Sequence, residues 1–360
     1  MYLSPDSVTH FVFLSTRKRI RLRVIPELVA TLEWFDGEAS LGELQDRFTG
    51  QFLTEDANRP PAFLAFANYL FQRGILVEKE WMTQQFPDHR TLRYSRQLNF
   101  LLDTEETTEK AAAVFRRIMN AKIAIFGVGA VGSWIVKELV AMGFRRFVIV
   151  DPKPLRPADA TRNAFYQENM LGASKAEVAR SYIRSEAIDP EVEIRRAALD
   201  IDTEIESLIG TGITLIINTA DEPYIGATSI KLSRYCVTKK LPLLVAGGFD
   251  AHLGSLSEMI IPGVTPCADC YATHFEAALQ DWKPAPHPVD DRRFGFGGLC
   301  SLAIFSASVA ALKVYRFFAT TSHEDTQKGR GEFLFDNYRI DSFEVARNPT
   351  CPTCSSVFGH

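Results

Sequence analysis

Residues 121–151 read AKIAIFGVGAVGSWIVKELVAMGFRRFVIVD, a complete β-α-β unit in mid-chain. Ile123, Ile125 and Phe126 form a short apolar run expected as a buried strand. Gly127, Gly129 and Gly132 follow where the chain must turn tightly into a helix. Glycine lets the backbone approach a phosphate, and a helix over residues 131–142 would present free N–H groups and its positive dipole end to that phosphate. Gly143 ends the helix, residues 147–150 form the second strand, and Asp151 closes it where an acidic side chain can accept ribose hydroxyls. On these residues alone, an NAD-dependent dehydrogenase is the favoured reading.

The flanking sequence narrows the frame. The chain has 360 residues, 46% apolar and 23% charged, enough for one large domain or one large and one small. A net charge of −4 gives no overall field favouring nucleic acid or an anionic membrane. The first 19 residues hold only a short apolar run before a basic cluster, too short for a secretory signal. Residues 299–314, the most apolar stretch, carry Ser and Lys, so no membrane span is expected. The expectation is a cytoplasmic protein with neither nucleic acid nor membrane as partner.

Six cysteines in a reducing compartment are not read as three disulfides. Cys267 and Cys270 form one CxxC pair and Cys351 and Cys354 another, the spacing that supplies four thiolates to a structural zinc. Such a closed shell staples the C-terminal tail and leaves no position for catalysis. Cys236 and Cys300 read as buried small apolar residues.

Before residue 83 the pattern is different. Residues 11–14 and 20–24 read as strands of a hairpin. Leu28, Leu32 and Phe35, then Leu41, Leu44 and Phe48, then Phe63, Phe66, Leu70 and Phe71 mark three helices, and residues 75–77 read as a last strand. The result is a small winged-helix-like α+β module over residues 1–82. DNA binding is disfavoured, because residues 1–80 hold nine Lys/Arg against eleven Asp/Glu. A basic hairpin with an open edge better suits adding a strand from an extended peptide. Residues 83–120 connect the units through Arg93-Tyr94-Ser95-Arg96-Gln97, read as a charged turn, and a packing helix over 105–119.

After Asp151 the dehydrogenase reading weakens. Arg162 and Lys175 put two cations near the phosphates, which suits a triphosphate, and Lys175 opens a helix of about eleven residues. The strand 215–218 ends in Thr219-Ala220-Asp221, which puts a carboxylate at the carboxyl edge of a sheet, where it could bind Mg²⁺.

From Arg93 to the C-terminus, these motifs in this order closely resemble the ThiF/MoeB family, adenylating enzymes related to ubiquitin activation. The resemblance implies a doubly wound, Rossmann-like α/β domain over residues 121–360 with a mainly parallel sheet, usually a homodimer, binding ATP, Mg²⁺ and a structural Zn²⁺. It gives Asp151 the ribose, Arg162 and Lys175 the phosphates, Asp221 the Mg²⁺, and Arg96 a reach to the ATP of the partner subunit. Residues 271–298 fall where the family has a crossover loop over its carboxylate substrate. They contain no cysteine, which favours direct trapping of an adenylate over an enzyme thioester.

Ala130 stands where the family has a further glycine, Asp159 where it commonly has Asn, and Asn163 where it has Gln. A carboxylate at 159 would oppose anion binding, so Asp159 is expected to point away unless the register differs. The N-terminal module resembles the leader-peptide recognition element of enzymes that mature ribosomal peptides. The combination resembles the microcin C-type and pantocin-type peptide-maturing branch of the family. That implies adenylation of a side-chain or C-terminal carboxylate on a precursor peptide, leading to condensation or cyclisation in antibiotic biosynthesis. Adenylation of a ubiquitin-like sulfur carrier and a non-catalytic leader-binding scaffold remain the alternatives.

Overall fold

The computed structural model describes residues 2–3, 8–52, 60–105, 107–200, 202–247, 254–281, 298–320 and 330–355. It divides into two compact units, Met1–Arg116 and Arg117–His360.

In the first unit, three strands form an antiparallel sheet in the order β1-β2-β3: β1 (Tyr2–Leu3), β2 (Val8–Val12) and β3 (Arg19–Arg23). Alternation along β3 sends Ile20 inward and leaves Arg19, Arg21 and Arg23 exposed, the period-2 pattern of a sheet with one dry face. The helices are α1 (Pro26–Ala30), α2 (Leu41–Phe52), α3 (Pro60–Gln72), α4 (Trp81–Gln85), α5 (Ser95–Glu105) and α6 (Thr108–Asn120), the last continuing across the unit boundary. Phe11, Ile20, Leu28, Leu44, Phe48, Phe63, Phe66 and Leu70 form the core, with Phe48 and Phe63 stacked at 5.2 Å.

Three expectations need correction here. Residues 75–77 form no strand. Gly74, at φ +65°, ends α3, and the Ile75 and Leu76 amides bond back to the Leu70 carbonyl at 2.9 and 3.2 Å, which uses the donors a strand would need. Phe71, expected on the buried face of α3, is 47% exposed. The RYSRQ run is no loose turn: Arg93 and Tyr94 end a 3₁₀ turn and Ser95 opens α5, so two helices fill the region where one was expected.

The second unit is built on a six-stranded sheet in the order β6-β5-β4-β7-β8-β9, where β4 is Lys122–Phe126, β5 Arg146–Val150, β6 Glu191–Arg195, β7 Leu215–Asn218, β8 Leu243–Val245 and β9 Glu258–Ile260. All neighbours are parallel except β8 and β9. Strands β4, β5 and β7 are almost continuously buried, as parallel strands covered on both faces must be. The helices are α7 (Ala130–Ala141), α8 (Lys175–Glu186), α9 (Ile205–Ile209), α10 (Ile225–Lys239), α11 (Ala268–Ala278) and α12 (Cys300–Ala319), followed by the hairpin β10 (Arg330–Leu334) and β11 (Arg339–Phe343). From β4 the chain winds outward through β5 and β6 on one side and later through β7 and β8 on the other. That reversal leaves a crevice at the carboxyl ends of β4 and β7.

α12 is longer than the apolar stretch expected at 299–314. By length and composition its 20 residues would suffice to cross a membrane. Instead Ala303, Ser306, Ala307, Ala310 and Ala311 form a buried face of small residues that lets α12 pack closely on α7, where Ser308 Oγ donates to Glu138 Oε1 at 2.7 Å. Cys236 is buried as expected, but Cys300, first residue of α12, is only half-buried. Of the expected crossover loop, residues 271–278 are helical in α11 and residues 282–297 lie outside the described residues.

Candidate nucleotide site and four-cysteine centre

The crevice at the reversal is a cavity of about 1050 Å³, with Gly127, Gly129, Asp151, Arg162, Lys175 and Asp221 all in its wall. Two of the turn glycines are sterically obligatory. A Cβ on Gly132 would lie 2.2 Å from the Gly127 carbonyl oxygen, and one on Gly127, at φ +87°, would lie 2.7 Å from Thr219 Oγ1. Gly129 differs: nothing lies within 4 Å of its missing Cβ, which leaves its backbone open to a ligand at the start of α7.

Asp151 ends β5, and its buried carboxylate is anchored by backbone. Oδ2 accepts from the Val128 amide and Oδ1 from the Lys153 amide, both at 2.8 Å. Each oxygen keeps a lone pair for a hydroxyl of a bound molecule. The end of β7 is fixed from beneath by Asn218, which is fully buried. Its Nδ2 donates to Thr228 and Ser229 at 3.0 and 2.9 Å, and its Oδ1 takes the Ala220 amide at 3.0 Å. This holds Asp221, which is exposed, at the rim of the cavity.

Asp159 stands behind the cavity wall and is not among its lining residues, and its charge is matched from within the protein. It is 1% exposed, with Lys175 Nζ 2.9 Å from Oδ2 and Arg162 Nε 3.3 Å from Oδ1, while the Arg156 amide donates to Oδ2 at 3.0 Å. Burial works against its charged form, but Lys175, the Arg156 amide and Arg162 outweigh that and hold the carboxyl below the usual range. One buried anion thus gathers two cations at the cavity wall, and Lys175, itself buried, opens α8. Asn163, another of the departures, turns inward: its Nδ2 donates to the Val128 carbonyl at 2.9 Å and its Oδ1 accepts the Phe165 amide. It ties the 159–165 segment to the glycine turn. Nothing in the sequence marks it for that task beyond an amide at a loop position.

The residues expected around the nucleotide therefore meet in one cavity of the second unit; Arg96, expected to reach the ATP of a partner subunit, lies exposed on α5 in the first unit.

The four cysteines converge. Their sulfurs lie within 4.8 Å of one another and are all buried, with Cys267 to Cys351 and Cys270 to Cys354 both at 3.6 Å and Cys267 to Cys270 at 3.9 Å. A tetrahedron with metal–sulfur bonds of about 2.3 Å has edges of about 3.8 Å, so the donor set fits zinc. Burial pushes the Cys267 thiol up and that of Cys354 up to about 12, whereas at Cys351 the backbone amides of Cys354 and Thr353 outweigh burial and hold the thiol below its usual value. Sequence spacing did not show the surrounding clamp. Arg234 of α10 forks Asp269 at 3.0 and 2.7 Å, and Asp269 also accepts from Thr353 at 2.6 Å, joining the two CxxC segments.

Over 96% of its length this chain superposes on a solved structure of PaaA at a TM-score of 0.69 and 17% identity, covering 97% of that chain. On E. coli MccB crystallised with AMPCPP and MccA it superposes at 0.68 and 18% identity, covering 98% of this chain and 99% of that one. Among curated proteins, the vegetative HesA protein of Trichormus variabilis is 28% identical over 252 residues, 68% of this chain and 84% of HesA. Residues 94–353, from just before the Arg96 helix to the last CxxC, match the model of the ThiF family, and the chain belongs to that family.

Proposed function

We propose that the protein adenylates a carboxylate of a ribosomally made precursor peptide at the expense of ATP. The observation that carries this reading is the pairing of Lys175 and Arg162 on buried Asp159, beside an open Gly129, with Asp151 after β5 and Asp221 after β7 in the wall of the same cavity. NAD needs the glycine turn and Asp151, but it gives no task to a further rim carboxylate, whereas a triphosphate with Mg²⁺ uses both the cations and Asp221. The family and the likeness to MccB and PaaA support the same reading, as does the MccB complex with an ATP analogue and MccA.

In this reading the remaining lone pairs of Asp151 hold the ribose, and Lys175 and Arg162 hold the phosphates against the N-terminus of α7. Asp221 would hold Mg²⁺, which would neutralise phosphate charge. The substrate carboxylate oxygen attacks the α-phosphorus, the bond to the bridging oxygen breaks, and pyrophosphate leaves with that electron pair. The acyl-adenylate that remains carries AMP as its leaving group. No protein nucleophile is required: the residues position the reactants and stabilise charge on the transferring phosphoryl. Arg96 acts across a homodimer on the ATP of the other subunit. The four cysteines hold a structural zinc that pins the C-terminal segment. The first unit binds the leader part of the peptide, and a nucleophile within the peptide traps the adenylate.

The test takes any short peptide found encoded beside the gene, made synthetically, incubated with enzyme and Mg-ATP and analysed by mass spectrometry. Loss of water from it, with release of AMP and pyrophosphate, is expected. Release of pyrophosphate only with a folded carrier ending in Gly-Gly would overturn the peptide reading.

A further inference from the structure

Lys175 and Arg162 reach the cavity from different kinds of backbone. Lys175 opens α8, whereas Arg162 stands in the irregular segment between Asp159 and Phe165, with half of its side chain exposed. The ion pair of its Nε with Asp159 fixes one edge of the guanidinium. A cation carried by such a segment acts on phosphate only as well as the segment itself is held.

Three consecutive residues of the segment are tied by side-chain hydrogen bonds to α7 and the glycine turn. Trp134 Nε1 donates to the Arg162 carbonyl at 3.0 Å, Asn163 Nδ2 donates to the Val128 carbonyl at 2.9 Å, and the Ala164 amide donates to Ser133 Oγ at 3.0 Å. Of these three bonds, the one from Trp134 reaches Arg162 itself. Indole has one donor and no acceptor, so turning the ring away breaks the bond outright. The ring is kept from turning by Lys137, one turn along α7, whose Nζ lies 5.1 Å from the centre of the Trp134 ring and 6.0 Å from that of Tyr182 on α8. Tyr182 in turn packs at 4.7 Å on Phe165, at the far end of the segment. Arg162, Trp134, Lys137, Tyr182 and Phe165 thus form a closed chain of contacts. It ties the Arg162 segment to α7 and to the helix that Lys175 opens, and Trp134, Lys137 and Tyr182 all stand outside the cavity wall.

We propose that Trp134 is a positioning residue for Arg162: its indole N–H sets the backbone there so that the guanidinium meets the phosphates of a bound triphosphate. This rests on the reading of the cavity as an ATP site and deepens it by naming the residue through which Arg162 is aimed. Trp134 itself touches no substrate. Without the donor, the segment relaxes about the Asn163 and Ala164 bonds. Phosphate binding then has to restore the lost order, which shows as weaker affinity.

The probes are Mg-ATP, inorganic tripolyphosphate with Mg²⁺, and adenosine, each titrated calorimetrically against the full chain. Trp134→Phe keeps a ring for Lys137 and loses the donor. Its affinity for Mg-ATP and for tripolyphosphate is expected to fall about fivefold, the scale of one net hydrogen bond, while adenosine, which carries no phosphate, binds as in wild type. In an Arg162→Ala background the same substitution should cost nothing further, because a residue acting through Arg162 then has nothing left to aim. Circular dichroism reports whether each variant is folded. Should Trp134→Phe not fold, Lys137→Met, which keeps the donor and frees the ring, runs the same cycle with a loss of about twofold expected from the missing cation–π contact.

Equal affinity of wild type and folded variant for Mg-ATP, an equal loss for adenosine, or the same loss with and without Arg162 would each overturn the proposal. The enzymatic reading fails separately. A wild type that binds Mg-ATP with no dependence on Trp134 removes the positioning role and leaves the enzyme. One that binds tripolyphosphate in a Trp134-dependent way and ignores ATP keeps the positioning role and removes the enzyme, and one that binds neither removes both.

Discussion

Asp159 and the four-cysteine cluster are both buried electrostatic centres of the same unit, and they are balanced in opposite ways. At Asp159 one carboxylate lies among Lys175, Arg162 and the Arg156 amide, so the protein supplies its own counter-charge and leaves cationic groups directed at the cavity. At Cys267, Cys270, Cys351 and Cys354 four sulfur donors converge within 4.8 Å of one another, a set that fits one metal cation. The first arrangement is suited to meeting an anion that comes and goes. The second is suited to a permanent ion.

Breaking the cysteine centre should have the largest effect. Removing metal with a strong chelator is expected to lower the melting temperature by ~10 °C, the scale for losing a ligand bound far above its dissociation constant. Metal analysis should find one zinc per chain, and an unchanged melting curve would mean the cluster is only a buried thiol contact.

Asp159→Asn breaks the other centre. It removes a buried anion from beside buried Lys175, and the expected loss is about 3 kcal/mol in urea unfolding. The sign with pH follows from the lowered carboxyl: its contribution is complete above the unfolded-state value near about 4 and is lost as pH falls through the lower folded value. Wild type should therefore lose stability in acid more steeply than Asp159→Asn.

Lys175→Met keeps most of the side chain's unbranched stem and removes its charge. Pyrophosphate exchange should fall by ~10²-fold or more, with a smaller effect on folding because Arg162 and the Arg156 amide still hold Asp159. Equal activity would detach the Asp159 centre from the chemistry.

Gly129→Ala should be mildest. Its Cβ would meet open space, so stability should shift by less than about 0.5 kcal/mol while the KM for ATP rises, because the methyl group enters the approach to α7. Gly132→Ala is the control for the contrast, since its Cβ would strike the Gly127 carbonyl and destabilise the fold.

The second unit was legible because its signals are local. Gly127 and Gly132 are required by contacts within a few residues or across one strand, Asp151 and Asp221 sit at strand ends, and CxxC spacing places two sulfurs together. The role of Asp159 was not legible because its sign was judged by distance from phosphate. Its partners Lys175 and Arg162 lie along the same loop and neutralise it, which only three-dimensional placement shows. Asn163, Asn218 and the Arg234–Asp269–Thr353 clamp were missed because each is a polar residue whose bonds depend on how its segment folds back, not on a local spacing. In the first unit the apolar spacing located α2 and α3, yet the apolar run Ile75-Leu76-Val77 suggested a strand where Gly74 had already committed the Ile75 and Leu76 amides to the end of α3.

The most direct test of the account is isotope exchange between labelled pyrophosphate and ATP. Exchange that requires both Mg²⁺ and a precursor peptide, and that collapses in Lys175→Met, is the predicted result. A protein that binds NAD, ignores ATP and catalyses no exchange with any peptide would contradict it.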